Sequence, residues 1–248
     1  MSPFMAQFRK EVFALMVSPS IYLLLGVWYL LNGLVFVYLL DYSPAVQADL
    51  ALLPQFLFGS GLLVWLLLPA FPPLLTLRLL AEEHRLGTLE PLLSAPVSDV
   101  GVVAAKYLGA CVFFLLFWGG VLCLFLFLDL TGAELDWAKV LGGFLGAFLC
   151  SLLFLATGMF ASSWSGNLVL AAGGGAVLNY MLLFVPVIFE QSPGALGVAA
   201  KAANIPNMLD RGFAAGLVDS YALVFFLGLS LLFLFLTWVR LVSRRWVP

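Results

Sequence analysis

At 248 residues, 64% apolar and only 10% charged, with a mean hydropathy of +1.12, this chain is excluded from the ordinary soluble class, whose members are about 25% charged. The formal net charge of −2 says nothing about partners, because the charges divide unevenly between two faces. Continuous apolar runs without apolar–polar alternation also exclude a membrane β-barrel.

The runs free of Asp, Glu, Lys and Arg cover 12–40, 50–77, 107–128, 140–189 and 220–239. A helix needs roughly 20 apolar residues to cross about 30 Å of hydrocarbon. The run 140–189 is too long for one crossing and suits two, with Ser162-Ser163-Trp164-Ser165-Gly166-Asn167 as the turn between them. The expectation is an all-α integral membrane protein, a single transmembrane domain over 1–248 with six transmembrane helices near 20–40, 55–77, 106–128, 140–161, 168–189 and 219–240.

In chain order, Phe4, Phe8, Val12, Leu15 and Met16 recur at helical spacing, with Gln7, Lys10 and Glu11 on the other side. This pattern predicts an N-terminal interfacial amphipathic helix with basic side chains toward lipid headgroups. Ser18-Pro19-Ser20 ends it, since a residue before proline avoids the helical region. The run that follows is longer than the apolar part of a signal peptide, about 7–15 residues, and reads as a retained span.

Pro69, Pro72 and Pro73 fall near the inner end of the second span, where proline removes helical hydrogen bonds. In lipid such kinks need neighbours to satisfy the freed carbonyls, so this end is expected to be packed in protein. The loop 78–105 then gathers Arg78, Glu82, Glu83, Arg85, Glu90 and Asp99 with the chain's one histidine, His84. Leu86, Leu89, Leu92 and Leu93 recur every three or four residues, and Gly87-Thr88 breaks the pattern. An apolar ridge beside a charged face is what a docking surface for a water-soluble partner requires; the alternative is a solvated loop with incidental charge.

The fourth and fifth spans are rich in small residues, Gly142, Gly143, Gly146 and Ala147, then Ala171 to Ala176, which let helices approach closely. After them, 190–218 is apolar but too short to span, and is expected to form outer re-entrant or interfacial helices divided at Ile205-Pro206-Asn207. The chain closes on Ser243-Arg244-Arg245-Trp246, a basic and aromatic anchor.

Lys and Arg set the orientation. With the N-terminus inside, Arg9, Lys10, Arg78, Arg85, Lys106, Arg240, Arg244 and Arg245 lie on the inner side and only Lys139, Lys201 and Arg211 on the outer. Both termini are therefore expected to be cytoplasmic.

Much chemistry is missing from the sequence. No Gly-x-x-x-x-Gly-Lys-[Ser/Thr] loop occurs to cradle a nucleotide, and His84 alone cannot build a multi-histidine metal site. The paired glutamates lack further ligands, and a histidine in a charged loop cannot serve an intramembrane serine nucleophile. Cys111, Cys123 and Cys150 fall within spans without pairing or metal spacing, and read as small apolar side chains. The polar span residues Asn32, Thr157, Asn179 and Ser230 are mild, and no carboxylate stands mid-span. Ion-coupled carriers usually need such carboxylates, so interhelical hydrogen bonding is the expected role of these four.

The segment Leu68-Pro69-Ala70, Leu77-Arg78-Leu79 and Ala81-Glu82-Glu83-His84-Arg85-Leu86-Gly87-Thr88-Leu89-Glu90-Pro91-Leu92-Leu93-Ser94-Ala95-Pro96-Val97-Ser98 resembles the coupling region of ABC-2 type transporter permeases. It is most similar to the subgroup of the gliding-motility and nitrous-oxide-reductase maturation permeases. Phe8-Arg9-Lys10-Glu11, Ser18-Pro19-Ser20-Ile21-Tyr22 and Ser243-Arg244-Arg245-Trp246 resemble that subgroup too.

The resemblance implies a permease of the bacterial inner membrane, expected to export, with no catalytic, cofactor or metal site of its own. ATP and Mg would sit on a separate cytoplasmic ABC ATPase subunit. A coupling helix would dock there through Glu82, Glu83, His84, Arg85, Leu86, Gly87, Thr88, Leu89, Glu90 and Leu93, with Gly87 allowing the turn. A second six-helix permease, identical or not, would complete the pathway, with the small helices before the last span at its outer mouth. The partners implied are thus the ATPase, the second permease and the lipid bilayer, and no nucleic acid. Pro91 departs from the family pattern, where an ordinary helix former is usual, and places the start or a bend of the coupling helix there. Two other classes stay open: a non-transporting membrane scaffold of a motility or maturation complex, and an ion-coupled secondary carrier.

Overall fold

The computed structural model describes residues 3–59, 61–77, 79, 98–164 and 167–243. The coupling motif from Glu82 to Leu93 lies outside them. The described residues are helical throughout, apart from turns, and contain no strand. We number the α-helices α1 (Pro3–Val17), α2 (Pro19–Tyr42), α3 (Pro44–Ala48), α4 (Leu62–Leu66), α5 (Phe71–Thr76), α6 (Asp99–Leu130), α7 (Trp137–Trp164), α8 (Leu168–Phe189), α9 (Ala195–Ala202), α10 (Ile205–Asn207) and α11 (Ser220–Ser243). Five of them, α2, α6, α7, α8 and α11, are long and apolar enough to cross a membrane.

Their limits follow local signals. Ser18 is extended ahead of Pro19 at the first turn of α2. The Ser98 hydroxyl accepts from Gly101 N at 3.1 Å to start α6, and the Asn167 side chain accepts from Val169 N at 3.0 Å to start α8. These are ordinary N-caps that satisfy the free donors of a first turn. Helix α6 begins well before the expected 106.

The second expected span, 55–77, departs from prediction, because it is not one continuous helix. It consists of a π-helical turn at Gln55–Gly59, an extended Gly61, α4, a turn over 67–70, and α5. Pro72 and Pro73 have no N–H to give to Leu68 and Pro69, four residues back, so an uninterrupted ladder cannot form.

Helix α7 is the hub. Within its most apolar window 72% of residues are buried, against 22–33% in the other four long helices. It packs on α5, α6, α8 and α11 and under the segment before α11. The others show lipid-sized side chains outward, among them Leu23, Leu30, Val169, Val224 and Leu231. That exposure is expected where the surrounding solvent is hydrocarbon. Between α2, α5 and α6 lies an aromatic cluster, with Trp28 stacked on Phe117 at 4.2 Å and edge-on to Trp118 and Phe71. Trp118 Nε1 donates to Ser151 Oγ at 2.8 Å, joining α6 to α7. At the far end, the Arg240 guanidinium sits 4.9 Å from the centre of the Trp164 ring and ties α11 to α7.

The small residues of α7 do allow close approach. A Cβ on Gly146 would come within 2.5 Å of Phe213 Cβ, and one on Gly143 within 2.9 Å of the Phe58 ring. On α8 only part of the stripe is used. A Cβ on Gly175 would stand 3.1 Å from Pro73, whereas Gly173 faces open space.

Segment 190–218 folds as α9, α10, a π-helical turn at Met208–Gly212 and a short 3-10 turn at Phe213–Ala215. Asn204 pins it, donating to Glu190 Oε2 at 2.7 Å and accepting from Asn207 N at 3.0 Å. Ile205, Leu209 and Phe213 are buried beneath it.

Candidate coupling site and its frame

What the structure describes is the frame on either side of the loop. On the inbound side, α5 leads to Leu79, which is buried. On the outbound side, the chain returns at Ser98 and enters α6. Two polar clusters hold this frame, one on each side.

The first is a buried ion pair. Lys106 Nζ lies 2.9 Å from Glu11 Oε1, with side chains 0% and 8% exposed. Gln7 Nε2 donates to the same oxygen at 2.7 Å. The pair joins α1 to the second turn of α6, where a Cβ on Gly109 would stand 3.0 Å from Glu11 Cβ. This corrects the expected disposition of the N-terminal helix. Its polar residues Gln7 and Glu11 face protein, while Met5, Phe13 and Val17 are exposed beside Arg9 and Lys10. Glu11 turns inward because Lys106 is there to meet it, which no local periodicity reveals.

The second cluster closes the broken span. Pro69 O, left without its helical donor by Pro73, accepts from Asn179 Nδ2 at 2.8 Å. The other Nδ2 hydrogen is directed at Phe154 O, 3.3 Å away. The Thr157 hydroxyl is within reach of both Asn179 Oδ1 and Phe154 O. One residue on, Tyr180 donates to Leu66 O, which Ala70 N abandons for Leu67 O at 3.0 Å. Consecutive residues of α8 therefore cap two of the carbonyls that the break exposes, Pro69 O and Leu66 O. Thr76 Oγ1 donates to Pro73 O at 3.0 Å. The expectation that the proline end is packed in protein is met by these named donors.

Of the four polar span residues singled out in the sequence, Thr157 and Asn179 bridge helices. Ser230 donates to Phe226 O at 2.7 Å within its own helix and also meets the Tyr107 hydroxyl of α6, whereas Asn32 donates to Trp28 O at 2.9 Å within its helix. Lys106 and Glu11 were not singled out as a site. The available signal was a lysine eight residues inside a long helix and a glutamate next to an apolar run. Nothing in the sequence couples positions 95 residues apart.

The arrangement is a set of apolar spans around one central helix, with a polar clamp on each arm leading to a charged loop. These features define a multi-pass membrane protein. A family model described as ABC-2 family transporter protein matches residues 15–182, and the chain belongs to that family. It is thus a transmembrane permease of the ABC transporter type. No curated protein sequence matches it.

Proposed function

We propose that the chain is the permease half of an ABC-2 exporter of the bacterial inner membrane, driven by a separate cytoplasmic ATPase and paired with a second permease. The subgroup suggested by the coupling motif is that of the gliding-motility and nitrous-oxide-reductase maturation permeases. The observation that carries the reading is the family match, which spans the charged loop and the helices on both sides of it.

The geometry supports a way for force to enter. Helix α6 has 32 residues, about 48 Å at 1.5 Å per residue. That is longer than the roughly 30 Å hydrocarbon layer, so its first turns would project toward the loop. Closure of the ATPase would push on Glu82 to Leu93 and move α6, with α1 fixed to it through Lys106 and Glu11. The interrupted span would be the compliant element, held on its far side by Asn179 and Tyr180. Only a partner with different affinity for two arrangements can shift their equilibrium. Nucleotide state would supply that difference.

Affinity purification from native membranes should recover a roughly stoichiometric ATPase subunit, lost in a Glu82→Lys/Glu83→Lys variant whose spans remain folded. Recovery of the ATPase at wild-type levels with that variant would remove the docking assignment. Recovery of none with either chain would favour a scaffold. The orientation has its own check. A cysteine replacing Asp136 should react with an impermeant thiol reagent added outside, and one replacing Asp99 should not; the opposite pattern would invert the topology.

A further inference from the structure

The segment between α8 and α11 holds a cavity of about 340 Å³, within the size range of small-molecule sites, roughly 300–1,000 Å³. It lies beyond the residues that the family model matches. Its walls include Met208, Phe213 and Leu217, with Lys201 and Arg211 opening on the same space.

The cavity is built on fixed parts. Phe213 is 1% exposed, seated over the glycines of α7. Tyr221 OH donates to Ala202 O at 2.9 Å and joins the end of α9 to the start of α11. Gly216, at φ 82°, makes the left-handed turn between them, a conformation that favours glycine.

Its charge is unbalanced. Neither Lys201 nor Arg211 has an ion-pair partner among the described residues. Asp219 is the one carboxylate on the wall, and it caps α11, with Oδ1 accepting from Tyr221 N at 3.0 Å. Asp210, next to Arg211 in sequence, is turned the other way, with Oδ1 buried against Gly59. Two cations therefore face a space whose remaining walls are mostly apolar. Arginine presents a planar fork that matches phosphate oxygens, and lysine adds a mobile point charge.

We propose that this cavity binds the phosphate group of an anionic amphiphile, with Arg211 and Lys201 on the phosphate and Met208, Phe213 and Leu217 against the apolar part. The site does not depend on the ATPase-docking reading, and its test involves no ATPase.

The full chain, purified in detergent, would be titrated with phosphatidylglycerol, phosphatidylcholine of the same acyl chains, and inorganic phosphate, with bound ligand counted by native mass spectrometry. The expected result is preferential retention of one phosphatidylglycerol. Affinity should fall at least about tenfold in Lys201→Gln/Arg211→Gln, since a charge-assisted contact is worth that much. It should be preserved in Lys201→Arg. Both side chains are exposed, so the single Lys201→Gln variant, with a smaller loss, serves if the double one fails to fold. Saturable binding of inorganic phosphate alone, lost in the same variants, would support the phosphate site and assign it to a free phosphate source. Equal retention of both lipids with no phosphate binding, or undiminished binding by the variants, would overturn it.

Discussion

Lys106→Met should be among the most damaging single substitutions in this chain, costing about 3–5 kcal/mol, the range for removing one partner of a buried ion pair. The cause is what remains. Glu11 would keep its carboxylate 8% exposed with Gln7 its one remaining partner among the described residues, on a helix face closed by α6. Methionine nearly matches the volume of the lysine stem, so packing loss is small and the effect reports charge. The double variant Lys106→Met/Glu11→Leu should recover most of the loss, because replacing both ions by apolar groups is often neutral. Denaturation of the purified protein in mild detergent gives both values. If the single variant were as stable as wild type, the pair would not be the clamp between α1 and α6. If the docking reading holds, the double variant separates stability from coupling. It should fold, yet transmit ATPase closure less well, read as ATP turnover without transport.

Asn179→Leu should cost about 2 kcal/mol. Interhelical hydrogen bonds in membranes average only about 0.6 kcal/mol, because the separated helices find other partners. A buried acceptor left bare costs about 1–3 kcal/mol. The larger figure decides here, since Pro73 has no N–H and Pro69 O cannot recover a helical donor while α5 keeps its shape. Asn179→Asp is nearly isosteric and keeps the contact to Thr157, but in its ionised form it offers no donor to Pro69 O. It should therefore be no better than leucine. A Pro73→Ala background should soften the effect of Asn179→Leu, because the restored N–H can reach Pro69 O. Thermal unfolding of the four chains tests this, and equal losses with and without Pro73 would show that Asn179 acts by packing rather than by donation.

How far the sequence could be read depended on the range of the interaction involved. Hydropathy located α2, α6, α7, α8 and α11, since roughly 20 apolar residues in succession is a local property that hydrocarbon selects. Breaks were equally local, as Ser18-Pro19 ahead of α2 and the turn closing at Asn167 ahead of α8 show. The second expected span is not one continuous helix, because hydropathy counts side chains, whereas helix continuity depends on backbone donors that Pro72 and Pro73 lack. In the N-terminal helix, Gln7 and Glu11, expected on the polar side with Lys10, are instead buried. Periodicity sorts residues by polarity and cannot tell that a glutamate has a lysine waiting on another helix.

By itself, then, the sequence determined that the chain is a helical membrane protein, where its long spans lie, and which family its coupling motif resembles. Tertiary structure alone decided that Glu11 meets Lys106, that Asn179 and Tyr180 take the carbonyls freed at the broken span, and that Lys201 and Arg211 open on one cavity. The physical reason is the same each time. Transfer into lipid is settled residue by residue along the chain, but a buried donor, acceptor or charge is tolerated only by a partner in space. That partner lies 95 residues away for Glu11 and 110 for Asn179.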